Sequence, residues 1–175
     1  MDPIRVAILT VSDGVAAGRR ADRSGAAIAG WCARAGAVVV RHDVVRDDVG
    51  EIARALVACA DNHHVDLALT TGGTGFTERD VTPEATCAVV ERPAPGVAEA
   101  VRARGAASTP FAWLSRGIAG IRGHTLIINL PGSEGGVRDG LAVLDSLASH
   151  AVQLLRGIDT DTHTPADAAA PMHDG

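Results

Sequence analysis

The run Leu67-Ala68-Leu69-Thr70-Thr71-Gly72-Gly73-Thr74-Gly75 is a short apolar strand that passes directly into a glycine-rich loop. Glycines at a strand end let the backbone approach a ligand closely, and consecutive N–H groups there can form an anion-binding nest. The hydroxyls of Thr71 and Thr74 add donors. The same glycines also suit a loop that merely turns the chain. This is not a dinucleotide fingerprint: G-x-G-x-x-G is absent, and the next helix starts only at Thr82-Pro83-Glu84.

On the N-terminal side, Ile4 to Val11 is nearly continuous in apolar residues, as in a strand covered on both faces. Ser24 to Ala35 carries helical spacing, with Ser24 as its expected N-cap and Gly36 as its stop. Ala37 to Val45 is β-branched and reads as a strand. A helix with Ile52, Leu56 and Val57 follows, capped by Asp47 or Asp48. On the C-terminal side, Thr82-Pro83-Glu84 combines a capping hydroxyl, a first-turn proline and an acid at the positive end of the helix dipole. Val97 to Arg104 predicts another helix. Gly117 to Ile121 and Thr125 to Leu130 predict an antiparallel hairpin, and Val137 to Leu155 a long last helix. Strands alternating with helices predict a three-layer α/β fold: a mostly parallel sheet, helices on both faces, and one antiparallel edge hairpin. Residues 1–157 form one domain on this reading. The Asp-, Thr-, Ala- and Pro-rich residues 158–175 are expected to be a disordered tail.

Composition narrows the chemistry. The 175 residues are 46% hydrophobic but only 2% aromatic, so the core must be built from aliphatic side chains. A net charge of -5 argues against nucleic acid as a partner. No apolar run approaches the roughly 20 residues of a membrane span. The N-terminus lacks a signal-peptide pattern, and Cys32, Cys59 and Cys87 are spaced as free, buried thiols, so a cytoplasmic location is expected. All 16 basic residues are arginine. Schiff-base chemistry and a Walker A lysine are thereby excluded, and phosphate binding must rest on backbone N–H groups, arginine or a metal ion.

Ligands of such sheets bind at the carboxyl ends of the strands. Ser12 and Asp13 end the first strand, Asp47 and Asp48 the second, and the Thr71 to Gly75 loop the third. Pro131, Gly132 and Ser133 end the strand before the last helix. Asp80 follows the glycine loop closely. A carboxylate beside an anion nest repels the anion unless a cation such as Mg²⁺ lies between them, although Asp80 also suits a simple ion pair with Arg79. Acids from separate strand ends beside a nest fit Mg²⁺-assisted phosphoryl or nucleotidyl transfer. Ser12-Asp13 suits a ligand contact or a local cap equally, and Ser133 suits a ligand phosphate or a turn backbone. His63-His64 has no third ligand at usable spacing and reads as loop, and Cys87 reads as helix packing.

The run from Thr70 through Gly72-Gly73-Thr74-Gly75 and Arg79-Asp80-Val81-Thr82-Pro83-Glu84 to Ala85 resembles the signature of the Mog/MoaB family of molybdopterin-binding proteins. Leu9 to Asp13, Val44 to Asp48, Pro95-Gly96, Leu114-Ser115-Arg116 and Asn129 to Ser133 are similar to family segments in family order, so the resemblance extends to about Leu155. It implies that Asp47 and Asp80 are the functionally important, Mg²⁺-holding acids, and that Thr71 to Gly75 cradle pterin and phosphate. It further implies that Pro131-Gly132-Ser133 contact the nucleotide. The implied activity is adenylylation of molybdopterin by ATP with release of pyrophosphate. A homotrimer and a downstream metal-insertion protein as partner are implied as well. Both aspartates favour the enzyme over a pterin-binding module of the same fold without catalysis.

Overall fold

A computed structural model describes residues 2–62 and 64–158. The expected tail, from 159 onward, and His63 lie outside the described residues. The chain runs β1 (Arg5–Val11), α1 (Asp13–Ala16), α2 (Arg23–Arg34), β2 (Val38–Val45), α3 (Val49–Asn62), β3 (Leu67–Thr71) and α4 (Thr82–Val89). It continues through β4 (Arg92–Pro93), α5 (Pro95–Ala106), a 3-10 turn at Pro110–Leu114, β5 (Ala119–Arg122), β6 (Thr125–Leu130) and α6 (Glu134–Leu155).

One six-stranded sheet has the order β2-β1-β3-β6-β5-β4. β2, β1, β3 and β6 are parallel, β5 is antiparallel to β6, and β4 is antiparallel to β5. The expected hairpin is present, and β4 extends it by one short strand that the proline-rich break at Glu91 to Gly96 concealed.

The strands bury both faces by simple alternation. Val6 and Ile8 of β1 pack under α2, α5 and α6 with Leu67, Leu69, Ile128 and Leu144. Ala7, Leu9 and Val11 point the other way, into a second cluster with Ile52 and Leu56 of α3 and Ala85 and Val89 of α4. Each fully buried aliphatic side chain contributes about 1.5–3 kcal/mol. Truncating Ile8 to Ala in so closed a layer is expected to cost about 2–5 kcal/mol. Among the described residues no helix is long and apolar enough to cross a membrane.

Three local expectations are corrected. Asp22, and not Ser24, caps α2, its Oδ1 accepting from the Gly25 N–H at 2.8 Å. The carboxylate reaches that N–H while also holding Thr10 and His42, a combination unavailable to a serine. Thr82 does not cap α4: it is buried, and its hydroxyl donates to Gly72 O at 2.8 Å, tying helix to glycine loop. Cys87 is exposed, whereas Cys32 and Cys59 are buried and burial pushes both thiols up to about 11.

Candidate active site

β1 is the point at which the chain changes direction across the sheet, since β2 lies on one side of it and β3 on the other. The strand ends diverge there and leave a crevice. Gly72 and Gly73 turn away from β3 with φ of 100° and 63°, values that only glycine adopts without strain. Contact reinforces the requirement: a Cβ on Gly72 would lie 2.3 Å from Val11 O, and one on Gly73 2.4 Å from Thr82 Oγ1. The loop after β6 closes on the same turn. Thr71 Oγ1 donates to Pro131 O at 2.7 Å, and a Cβ on Gly132 would lie 3.2 Å from Gly72 Cα.

The acids gather around this turn. Asp13 and Asp47 exchange bonds, Asp13 N–H to Asp47 Oδ2 at 2.9 Å and Asp47 N–H to Asp13 Oδ1 at 3.3 Å, which locks the ends of β1 and β2 together. Asp47 Oδ1 faces the loop, 3.4 Å from where a Gly73 Cβ would be. Burial, and then the charge of Asp80, push the Asp47 carboxyl above its usual range, with Arg20 partly offsetting them. Asp80 Oδ2 accepts from the Thr77 N–H at 2.9 Å and the Thr77 hydroxyl at 2.6 Å. Burial opposes its ionisation, but those bonds, the Gly75 N–H and Arg116 outweigh it and hold Asp80 below the usual carboxylate range. Asp80 is thus the settled anion, and Asp47 carries the cost of their proximity. The expected Asp80–Arg79 pair is not made; Arg79 reaches across to Asp13. Among the described residues no cluster of three or more His, Cys, Asp or Glu forms a metal cage. Two hard carboxylates with the shell completed by substrate phosphates is a common way to hold Mg²⁺, so Asp47 and Asp80 fit that ion.

Two clefts flank the loops. A polar one of about 750 Å³ is lined by Ser12, Arg20, Arg23, Asp47, Arg79 and Glu134, among others. A more apolar one of about 470 Å³ is lined by Val101, Arg102, Phe111, Leu114 and Ser115. Gly73, Asp80, Gly132 and Ser133 line both, so Asp80 stands where the two meet. Both volumes are in the range of small-molecule sites.

Of the residues singled out from sequence, Ser12, Asp47, Thr71, Gly72, Gly73, Asp80, Gly132 and Ser133 line the polar cleft, and Thr74, Gly75 and Pro131 the apolar one. Asp13 stays behind as a tether. Ser12 and Ser133 both cap helices, accepting from Val15 N–H at 3.3 Å and Gly136 N–H at 3.1 Å. Asp48 caps α3 through Glu51 N–H at 2.8 Å.

Sequence reasoning missed the arginines. Arg116 binds Gly75 O at 2.7 Å, Asp80 O and Glu84, clamping the glycine loop to α4. Arg20, Arg23 and Arg79 line the polar cleft, and Arg23 meets Glu134 at 3.7 Å across its mouth. The missing lysines pointed to arginine as a class, but no periodicity marks which ones converge.

Comparisons with known proteins point to the same family that the sequence resembles. The family model described as "Probable molybdopterin binding domain" matches residues 7–148. The chain is 36% identical to the molybdopterin adenylyltransferase of Helicobacter pylori J99, over 90% of each chain. It is 39% identical to a molybdenum cofactor biosynthesis bifunctional protein of Synechococcus elongatus, covering 89% of this chain but only 48% of that protein, about half its length. The solved structure of the molybdopterin biosynthesis enzyme MoaB from Thermus thermophilus superposes with a TM-score of 0.83 and 45% identity, covering 88% of this chain and 97% of that one.

Proposed function

The chain belongs to the molybdopterin-binding domain family, and from that membership we propose that it transfers the adenylyl group of ATP to the phosphate of molybdopterin, releasing pyrophosphate. The observation that carries the proposal is the position of Asp80 at the junction of two clefts, as a reaction between two bound substrates requires.

The nucleophile is the terminal phosphate of molybdopterin, whose second pKa of about 6 leaves it largely ionised at neutral pH. No general base is needed. An oxygen of that phosphate forms a bond to the α-phosphorus of ATP, the bond from that phosphorus to the β-phosphate oxygen breaks, and pyrophosphate leaves with the electron pair. The protein must hold two anions in line against their repulsion. The arginines of the polar cleft supply positive potential, since within the glycine loop the Gly72 N–H is taken by Leu130 O and the Gly75 N–H by Asp80. Asp47 and Asp80 would hold Mg²⁺. When bound, that ion supplies charge neutralisation at the phosphate oxygens. The polar cleft suits the triphosphate, and the apolar cleft suits the pterin.

The remaining parts of the reading are a cytoplasmic homotrimer and handover to a metal-insertion protein. The exposed apolar side chains of Phe76 and Trp113, outside both clefts, support self-association, since symmetric closure covers such groups. Supplying molybdopterin, ATP and Mg²⁺ to the full chain and assaying pyrophosphate tests the reaction; no release above background refutes it. Light scattering at micromolar concentration tests the assembly, and a monomer refutes the trimer.

A further inference from the structure

Three arginines line the polar cleft, and two are engaged by carboxylates: Arg79 by Asp13 and Arg23 by Glu134. Arg20 differs. Its Nη2 donates to the neutral Ser12 hydroxyl at 2.8 Å, and among the described residues it forms no ion pair. It is nevertheless seated in a shaped place. A Cβ on Gly14 would lie 2.7 Å from Arg20 Nε and 3.2 Å from Nη2, so the guanidinium lies directly over residue 14 and would have to shift to admit a side chain there. Ser12 is itself fixed as the cap of α1, and β1 and β2 are locked behind it by the Asp13–Asp47 exchange. A planar cation is therefore held at the cleft wall against a neutral hydroxyl, its charge felt by Asp47 but, among the described residues, with no ion pair formed.

We propose that Arg20, seated over Gly14 and Ser12, binds the β- and γ-phosphates of ATP and the pyrophosphate they become. The assignment rests on the reaction proposed above. Arg20 lines the polar cleft and not the apolar one, the cleft that suits the triphosphate and hence the leaving group. When the bond between the α-phosphorus and the bridging oxygen breaks, negative charge accumulates on the departing pyrophosphate. A guanidinium matches two phosphate oxygens at once through its fork of N–H donors. In a chain without lysine, it meets the phosphate-binding need that composition alone left open.

The test uses the full chain with three variants. Arg20→Gln removes the charge, Arg20→Lys keeps it without the fork, and Gly14→Ala displaces the guanidinium without changing it. Binding of inorganic pyrophosphate in the presence of Mg²⁺ is measured by calorimetry, pterin binding by fluorescence, and KM for ATP by pyrophosphate release. Arg20→Gln is expected to weaken pyrophosphate binding and raise KM for ATP by about ten-fold or more, with molybdopterin binding unchanged. Arg20→Lys should fall between, and Gly14→Ala should shift in the same direction as Arg20→Gln. Arg20 is exposed, so these variants are expected to fold, and thermal unfolding verifies it. Pyrophosphate binding by Arg20→Gln equal to wild type, or no binding by wild type, overturns the assignment. If wild type binds pyrophosphate in an Arg20-dependent way but never adenylylates molybdopterin, the reaction fails and the phosphate site stands.

Discussion

The two ends of the parallel sheet treat their carboxylates in opposite ways. At the amino ends, Asp66 precedes β3 and receives Arg156 Nε at 2.9 Å, Arg156 Nη2 at 2.5 Å and the Arg5 N–H at 2.7 Å. Burial opposes its ionisation, but Arg156 and the Arg5 N–H outweigh it, and Asp66 lies below its usual range. Arg156 also binds Asp2 O and Pro3 O, so one side chain joins the start of the chain to the end of α6. At the carboxyl ends, Asp47 is raised by burial and by Asp80. The first acid is fully answered within the fold. The second carries the repulsion of a neighbouring carboxylate, only partly offset by Arg20. Asp66 is answered by an arginine, whereas Asp47 bears the charge of a neighbouring carboxylate.

Substitutions at the two ends should therefore separate function from stability. The largest effect is expected for Asp80→Asn. Pyrophosphate release should fall by about two orders of magnitude or more, because metal-assisted charge stabilisation in such reactions is worth several kcal/mol. Asn can still accept from Thr77, so thermal unfolding should move by less than about 1 kcal/mol. Undiminished turnover in a folded Asp80→Asn protein would remove Asp80 from the reaction. Asp47→Asn should be similarly inactive.

Asp66→Asn should do the reverse. Losing the charged partner of a largely buried arginine is expected to cost about 2 kcal/mol, roughly 4–8 °C in a domain of this size, with turnover per folded molecule unchanged. The pH dependence has a definite sign. Because the folded pKa of Asp66 lies below its ordinary value of 3.8, its stabilisation is present in full above that value and is lost as pH falls through the lower, folded one. The gap in melting temperature between wild type and Asp66→Asn should be full at pH 6 and narrow below about pH 4. A gap independent of pH would show that the carboxylate charge is not what stabilises this end.

The smallest effect is expected for Ser133→Ala. Loss of the α6 cap should cost about 1 kcal/mol. An unchanged KM for ATP would confine Ser133 to capping, while an increase would add a nucleotide contact at the mouth of the polar cleft.

Continuous apolar runs, helical spacing and the turn signals between them were enough to read the layers. Ile4 to Val11 suits a strand covered on both faces and Leu67 to Thr71 a short strand, and the structure buries Val6 to Val11 and all of Leu67–Thr71. The glycine loop was legible because a positive φ and close backbone approach leave a residue-type signature in the chain itself. So was Asp80, through its distance from that loop. The long-range polar contacts were not. Asp66 and Arg156 are 90 residues apart, and Arg79 reaches back to Asp13 in preference to its neighbour Asp80. Thr82 looks like a helix cap in sequence but is turned into the loop by a bond to Gly72 O.

Local backbone preference and the period of buried side chains are properties of short segments, so the chain carries the strands, the helices and the glycine turn in its own order. Charge partnership depends on which segments the sheet order brings side by side. Placing β2 and β3 on opposite sides of β1 opens the crevice, puts Asp47 within reach of the charges of Asp80 and Arg20, and sets Arg20 over Gly14 at the wall of the polar cleft. Nothing in the spacing of those residues along the chain contains that information, because electrostatic interaction follows distance in space and not separation in sequence.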